Sequence, residues 1–141
     1  MKTVTFCGHG ELESTDKVKL WLESTVESLI NEGAETFLLG GYGAFDKLAA
    51  EVVWEMKKKY PNITSVLVVP YMDRKADSKK YDETVYPPLE IVPKRFAILK
   101  RNEWMVREAD VVVACVIHSW GGAAKTLEYA EKKKKRIIKF A

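Results

Sequence analysis

The stretch LLGGYGAFDKLAAEVV, residues 38–53, decides the fold, because a short apolar strand gives way at Gly40-Gly41 to a helical pattern. A second stretch, VVVACVIHSWGGAAKTLEYA, repeats this arrangement over residues 111–130 with Gly121-Gly122 at the junction. A backbone without Cβ atoms can approach a ligand closely, and the free N–H groups at the start of a helix favour an anion. The sequence therefore predicts two strand-to-helix junctions that can hold phosphate.

Strand and helix patterns alternate along the rest of the chain. Apolar runs predict strands over residues 3–7, 36–39, 63–70, 111–117 and 136–140, whereas helical spacing predicts helices over about 15–31, 45–56, 94–108 and 123–133. The polar, proline-containing residues 71–93 predict a long loop. This alternation predicts an α/β, Rossmann-like three-layer fold with a parallel five-stranded sheet, order about 3-2-1-4-5, and helices on both faces. We expect residues 1–141 to form a single domain.

Glycine loops follow the first, second and fourth predicted strands, which are neighbours in this strand order. The sequence therefore predicts that these loops surround one crevice at the carboxyl ends of the strands. The first loop has Gly8 and Gly10 of a dinucleotide fingerprint but Glu13 at the third glycine position. A P-loop motif is also absent from the sequence. These features argue against an ordinary NAD dehydrogenase and against a P-loop NTPase.

Composition narrows the range of partners. The net charge is only +3, from 23 basic and 20 acidic side chains, which argues against a general affinity for nucleic acid. The basic run 132–136 is interpreted as a solvated helix end, with a phosphate or nucleic-acid patch as the alternative. Apolar runs such as 111–117 are far shorter than the ~20 residues that span a bilayer. With no signal-peptide pattern at the start of the sequence, a cytoplasmic location is expected.

The cysteines and histidines give no metal motif. Cys7 and Cys115 lie within apolar strand segments, where free thiols act as small core side chains. His9 and His118 lack the spacing of a zinc site relative to them. The sequence therefore predicts no metal and no cofactor.

Three segments carry a family resemblance. The first is Phe6–Gly10, which resembles an F-T-G-H-R loop, and the second is Gly40–Asp46, which resembles a G-G-x-x-G-x-D helix start. The third is Arg101–Val106 followed by Ala109-Asp110 and Gly121-Gly122, which resembles R-N-x-x-M, A-D and G-G-T elements. In order and spacing they resemble the SLOG superfamily, named for Smf/DNA-processing protein A and the LONELY GUY enzymes, and within it the YpsA-like group. The resemblance implies a Rossmann-like domain that binds a nucleotide or a nucleotide-derived ligand across the strand ends.

In the LONELY GUY branch, an arginine and a glutamate take part in cleaving a nucleoside monophosphate to free base and ribose phosphate. Arg101 and Glu128 occupy the matching positions here. Trp120 replaces the proline of the P-G-G-x-G-T-x-x-E motif, Ala124 replaces its third glycine, and Lys125 replaces its threonine. These departures favour binding over the phosphoribohydrolase reaction.

The resemblance and the loop positions together nominate the site residues. The candidate catalytic residues are Arg101 and Glu128. The candidate ligand-binding residues are Gly8, His9, Gly10, Gly40, Gly41, Gly43, Asp46, Arg101, Asn102, His118, Ser119, Trp120, Gly121, Gly122 and Thr126.

Several of these residues have a structural alternative. Arg101 could form an ion pair, including one with Glu128, and Glu128 could be an exposed helix carboxylate. His9 and His118 could be ordinary loop histidines, and Asp46 could cap the second helix.

Three functions remain open from the sequence. The first is a sensor or binding module for a nucleotide-derived small molecule. The alternative is a nucleotide N-glycosidase, and the third and weakest is single-stranded DNA binding, which needs a more basic face. The resemblance also suggests self-association as a homodimer.

Overall fold

The computed structural model describes residues 2–71, 79–87 and 93–140. These residues form the helices α1 (Thr15–Asn31), α2 (Ala44–Met56), α3 (Lys94–Glu108) and α4 (Gly122–Lys132). They form the strands β1 (Lys2–Gly8), β2 (Ala34–Leu39), β3 (Thr64–Val68), β4 (Glu83–Val85), β5 (Val111–Cys115) and β6 (Arg136–Lys139).

All neighbouring strands of the sheet are parallel, in the order β4-β3-β2-β1-β5-β6. Apart from β4, this is the predicted order, and the Rossmann-like α/β class is confirmed. Strand β1 lies between β2 and β5, so the loops that follow these three strands meet at one edge of the sheet. That edge is the carboxyl end, where ligands bind in open α/β sheets.

The prediction of five strands was wrong for the described residues, because β4 lies within the stretch predicted as a loop. Only three residues long and largely exposed, it is too short for an alternating pattern to show in the sequence. Asp82 anchors it: its carboxylate accepts a hydrogen bond from the Ser65 N–H (2.8 Å) and pairs with Lys57 (2.8 Å). Within the predicted loop, residues 72–78 and 88–92 lie outside the described residues.

Two layers of helices cover the sheet. Buried side chains of α1 and α2 pack with Val4 and Phe6 of β1, whereas α3 and α4 pack on the opposite face, where Cys7 contacts the cluster around Val106. Successive side chains of β1 thus enter different cores, as the pleat of a strand requires. Both faces being covered explains why the strands read as continuous apolar runs. Within the described ranges, no helix has the length and apolar character that crossing a bilayer demands.

Helix α1 offers a matched test of the larger core. Leu22 is fully buried at 0% exposure and Leu20 on the same helix is 69% exposed. We expect Leu22→Ala to lower the free energy of unfolding by about 2–5 kcal/mol, since it leaves a cavity in the core. Leu20→Ala should change it by less than about 0.5 kcal/mol. Urea denaturation measures both, and equal losses would contradict the placement of this helix.

Candidate functional site

A pocket of about 360 Å³ lies at the carboxyl ends of β1 and β5, between the starts of α2 and α4. We call it the glycine-loop pocket. It brings together most of the residues predicted for the site: Gly8, His9, Gly10, Asp46, Arg101, Asn102, His118, Trp120, Gly121, Gly122 and Thr126. Phe6, Cys7, Tyr42, Ile98 and Ala123 complete its lining.

A second pocket, of about 450 Å³, lies beside the first on the β3 side. We call it the tyrosine pocket, after Tyr42, Tyr71 and Tyr81 in its lining. Gly40 and Gly41 line this pocket and not the first, whereas Tyr42 and Ile98 line both. The glycine loops therefore border two adjoining pockets where the sequence predicted one crevice.

Three predicted site residues line neither pocket. Gly43 packs against the first loop, where the N–H of the next residue, Ala44, donates to the carbonyl of Gly10 (2.9 Å). Ser119 is exposed in the loop after β5. Glu128, the candidate catalytic carboxylate, is exposed on α4. The carboxylate that does line the glycine-loop pocket is Asp46.

Arg101 is a buried arginine with 2% exposure, held by backbone carbonyls. Its Nη1 donates to the carbonyl of Gly40 (2.9 Å) and to that of Val68 (2.8 Å), and its Nε donates to Oδ1 of Asn102 (2.8 Å). Burial lowers its pKa, while the negative charge of Asp46 opposes that shift. Arg101 thus ties α3 to the ends of β2 and β3, and the charge that faces it is Asp46.

Asp46 lies in the first turn of α2, and its carboxylate accepts the backbone N–H of Tyr42. This contact satisfies a backbone donor just before the helix, as a capping carboxylate does. Burial raises the pKa of Asp46 to about 6, and the charge of Arg101 and the Tyr42 N–H limit the rise. The pocket wall therefore holds a carboxyl group whose pKa is raised well above its ordinary value.

The rings of His9, His118 and Trp120 form a row in the lining of the glycine-loop pocket. His9 Nε2 accepts the backbone N–H groups of Ile117 (2.9 Å) and His118 (3.0 Å). The centroids of the two imidazoles are 4.6 Å apart, and His118 stacks on Trp120 at 4.4 Å with 19° between the ring planes. Burial, followed by proximity to His118, lowers the pKa of His9. As a neutral hydrogen-bond acceptor, the His9 ring therefore holds the loop after β5 in place.

These hydrogen bonds also explain why β5 ends earlier than the sequence predicted. The apolar pattern predicted a strand to Ile117, but β5 ends at Cys115. The N–H of Ile117 is bonded to His9 instead of to a neighbouring strand. A side-chain acceptor from another loop is invisible to a local pattern, so the sequence overestimated the strand.

The start of α4 opens into the glycine-loop pocket. Gly121 is its N-cap, without a side-chain cap, and a Cβ built on Gly121 or Gly122 would meet nothing within 4 Å. The first N–H groups of a helix have no partner within it, so this end offers hydrogen-bond donors and a positive dipole end. Thr126, predicted as a phosphate donor, instead donates its hydroxyl to the Gly122 carbonyl (2.9 Å).

Cys7 packs under the same helix end, where its thiol donates to the carbonyl of Ala123 (3.1 Å). Burial raises its pKa to about 12, so the group stays a neutral thiol. Cys7 and Cys115 are both buried and free, which confirms the prediction of core thiols. Among the described residues, no cluster of three or more histidine, cysteine or acidic side chains is suited to a metal ion.

The sequence missed several lining residues. Ile98 lies one turn before Arg101 on α3, so helical spacing from that arginine would have found it. Lys47 and Glu51 of the tyrosine pocket are four residues apart on α2, so helical spacing would have found one from the other. Lys80 and Tyr81 come from the stretch predicted as a loop and carry no such signal.

A parallel sheet with glycine loops after β1, β2 and β5 defines a Rossmann-like α/β protein with a candidate ligand site at the carboxyl ends of its strands. The model of the YspA SLOG family matches residues 10–137, and the chain belongs to that family. It is 28% identical to the uncharacterized SPbeta prophage-derived protein YoqJ of Bacillus subtilis, over 82% of this chain and 81% of that protein. It is 23% identical to a UPF0398 protein of Bacillus thuringiensis, over 85% of this chain and 72% of that protein.

Two solved structures share the fold. DNA processing protein A from Helicobacter pylori, described in a single-stranded DNA binding mode, has a TM-score of 0.70 and 17% identity. That match covers 98% of this chain and 64% of the other protein. The Moco carrier protein from Chlamydomonas reinhardtii has a TM-score of 0.63 and 18% identity, covering 99% of this chain and 75% of that protein. At these identities the likeness establishes the fold.

Asp46 gives a prediction for pH dependence. Its pKa is about 6 in the folded protein against 3.8 ordinarily, so the folded state keeps a proton that the unfolded chain releases. The free energy of unfolding should therefore fall as the pH rises through this interval, by an amount on the order of 2–3 kcal/mol. The Asp46→Asn variant, measured by urea denaturation over the same pH range, should not show this fall in the free energy of unfolding. Parallel profiles for the variant and the unmodified chain would contradict the burial of this carboxyl.

Proposed function

We propose that this protein binds a nucleotide or a nucleotide-derived molecule in the glycine-loop pocket and acts as a sensor or binding module. The observation that carries the proposal is the open start of α4, whose N-cap Gly121 and first residue Gly122 place no side chain in front of the helix. Such an end binds phosphate through backbone N–H groups and the helix dipole. A cytoplasmic location and a homodimer stay predictions from the sequence.

The surroundings of that helix end support an anionic ligand. The buried guanidinium of Arg101 lines the same pocket and adds positive charge where water is largely excluded. The Gly8-His9-Gly10 loop forms the facing wall, and Gly10 has open space where a Cβ would stand. Asp46 opposes anion binding when charged, but its pKa of about 6 allows it to take up a proton when a phosphate approaches.

Proteins of the same fold give the proposal context. DNA processing protein A is described binding single-stranded DNA, a phosphate polymer, and the Chlamydomonas protein is a molybdenum cofactor carrier. A small-molecule ligand suits this chain better than DNA, since a net charge of +3 gives little attraction to a polyanion.

Two matched variants, each of which places a new carboxylate at the start of a helix, test the binding proposal. Gly122 is the first residue of α4 and Thr15 the first of α1. A carboxylate at either position suits the helix dipole, so neither variant should lower stability. We expect Gly122→Asp to weaken the binding of adenosine 5′-monophosphate at least tenfold, because the new charge lies where phosphate binds, whereas Thr15→Asp should not weaken it.

Isothermal titration and thermal shift report this difference, first with inorganic phosphate and then with a panel of nucleoside monophosphates. If none of these probes binds saturably to the unmodified chain, the proposed function is wrong. Equal binding by both variants would remove the α4 terminus from the site.

A second candidate function is hydrolysis of the N-glycosidic bond of a nucleoside monophosphate. The observation that favours it is Asp46, because a pKa of about 6 suits a proton donor near neutral pH. Glu128, which the family resemblance nominates, is exposed on α4 outside the pocket lining. For this reason we rank hydrolysis below binding.

Chromatographic analysis for free base after incubation with each nucleoside monophosphate tests the second candidate. If hydrolysis occurs, Asp46→Asn should slow it at least a hundredfold. Glu128→Gln should leave the rate within a factor of about two, because that side chain is exposed and lies outside the pocket lining. An inactive unmodified chain rejects the reaction while leaving the binding proposal in place.

A further inference from the structure

The tyrosine pocket has the chemistry of a site for a planar heterocycle. Its floor is apolar, with Leu67 4% exposed and Val69 8% exposed, and three tyrosines stand around it. Lys47 and Lys80 bring hydrogen-bond donors, and Glu51 brings an acceptor. In the described part of the chain, neither lysine has an ion-pair partner. An apolar cavity of this size with a few converging polar groups is the usual form of a small-molecule site.

The pair Gly40-Gly41 lies in the wall of the tyrosine pocket, on the side that faces Asp46 and Arg101 of the glycine-loop pocket. A Cβ on Gly40 would lie 2.8 Å from a carboxylate oxygen of Asp46 and 3.1 Å from the guanidinium carbon of Arg101, both on the glycine-loop side. A Cβ on Gly41 would lie 2.6 Å from Leu67, on the tyrosine side. Any side chain here would displace the groups of one pocket or the other, so the thin backbone keeps both pockets open.

Tyr42 follows this wall directly and lines both pockets. Tyr42 is 70% exposed, so it lies at the surface where the two pockets adjoin. One ligand that contacts both pockets would therefore pass Tyr42.

We propose that the tyrosine pocket binds the ring of the ligand whose phosphate lies in the glycine-loop pocket. This inference rests on the proposed function. It assigns the ligand to the phosphate esters of planar nitrogen heterocycles. The heterocycle carries an N–H group, which donates a hydrogen bond to the Glu51 carboxylate. Lys47 and Lys80 donate to carbonyl or ring-nitrogen acceptors on the same ring.

The competing location for the ring is Trp120. One face of its indole is already stacked on His118, and the side chain is 68% exposed. A ring stacked there would gain an aromatic surface but no enclosing polar groups that tell one heterocycle from another. The tyrosine pocket supplies both aromatic surface and polar groups of each kind, which is why the observations favour it.

Isothermal titration with ribose 5-phosphate and with the four common nucleoside 5′-monophosphates tests this assignment. In the unmodified chain, the preferred nucleotide should bind at least tenfold more tightly than ribose 5-phosphate, because only the nucleotide fills the second pocket. The double variant Lys47→Ala, Glu51→Gln should lose most of this gain and keep its affinity for ribose 5-phosphate within about twofold. The matched control Glu55→Gln, an exposed carboxylate further along α2, should retain the gain.

Two results would overturn the assignment. One is that Trp120→Ala removes the gain while the double variant keeps it, which would put the ring on the indole. The other is that ribose 5-phosphate binds but no nucleotide binds more tightly. Absence of binding by phosphate, ribose 5-phosphate and every nucleotide would reject the proposed function itself, so the two failures are distinguishable.

Discussion

The guanidinium of Arg101 fixes the geometry on which both pockets depend. Two parallel strands, β2 and β3, end side by side with carbonyl groups that lack a strand partner, and Nη1 of Arg101 bonds to the carbonyls of Gly40 and Val68 there. Burying an arginine is costly unless its donors are satisfied. Here the backbone carbonyls, Asn102 and the nearby charge of Asp46 meet that requirement. The side chain expected to meet a ligand is therefore first a structural link between α3 and the sheet.

The coupling between Arg101 and Asp46 makes the site responsive to charge. Asp46 loses solvation by burial but gains from the arginine, and the balance leaves its pKa at about 6. A phosphate in the same pocket would favour the protonated carboxyl, and by linkage a protonated carboxyl would favour phosphate. The affinity of the proposed phosphate ligand and the protonation of Asp46 would therefore be coupled, in a pocket where Arg101 is held by hydrogen bonds to backbone carbonyls.

Local patterns predicted the parts of the fold that local physics decides. Helix α1 begins at Thr15 and ends at Asn31 as predicted, because its apolar spacing and the glycine after it are contained in the sequence. Strand β4 and the end of β5 could not be predicted, since they depend on Asp82 and His9, whose partners are distant in the chain. The YspA SLOG assignment followed from motif order, and the grouping of the glycine loops followed from the predicted strand order. The separation into two pockets did not, because it depends on where Tyr42 and Gly41 lie in space.

Gly40-Gly41, which follows β2, and Gly121-Gly122, at the start of α4, have different surroundings although the two pairs look alike in the sequence. Gly121 and Gly122 have empty space before them, so their small size leaves helix donors accessible. Gly40 and Gly41 are crowded on both sides, so their small size allows the chain to pass between Arg101 and Leu67. A side chain would therefore find room at Gly122, whereas Gly121 has a φ of 92°, a backbone conformation that favours glycine. At Gly40 and Gly41 a side chain would instead collide with the framework. The same dipeptide thus leaves a helix start open in one loop and allows close packing in the other, and only the environment of each Cβ position separates the two situations.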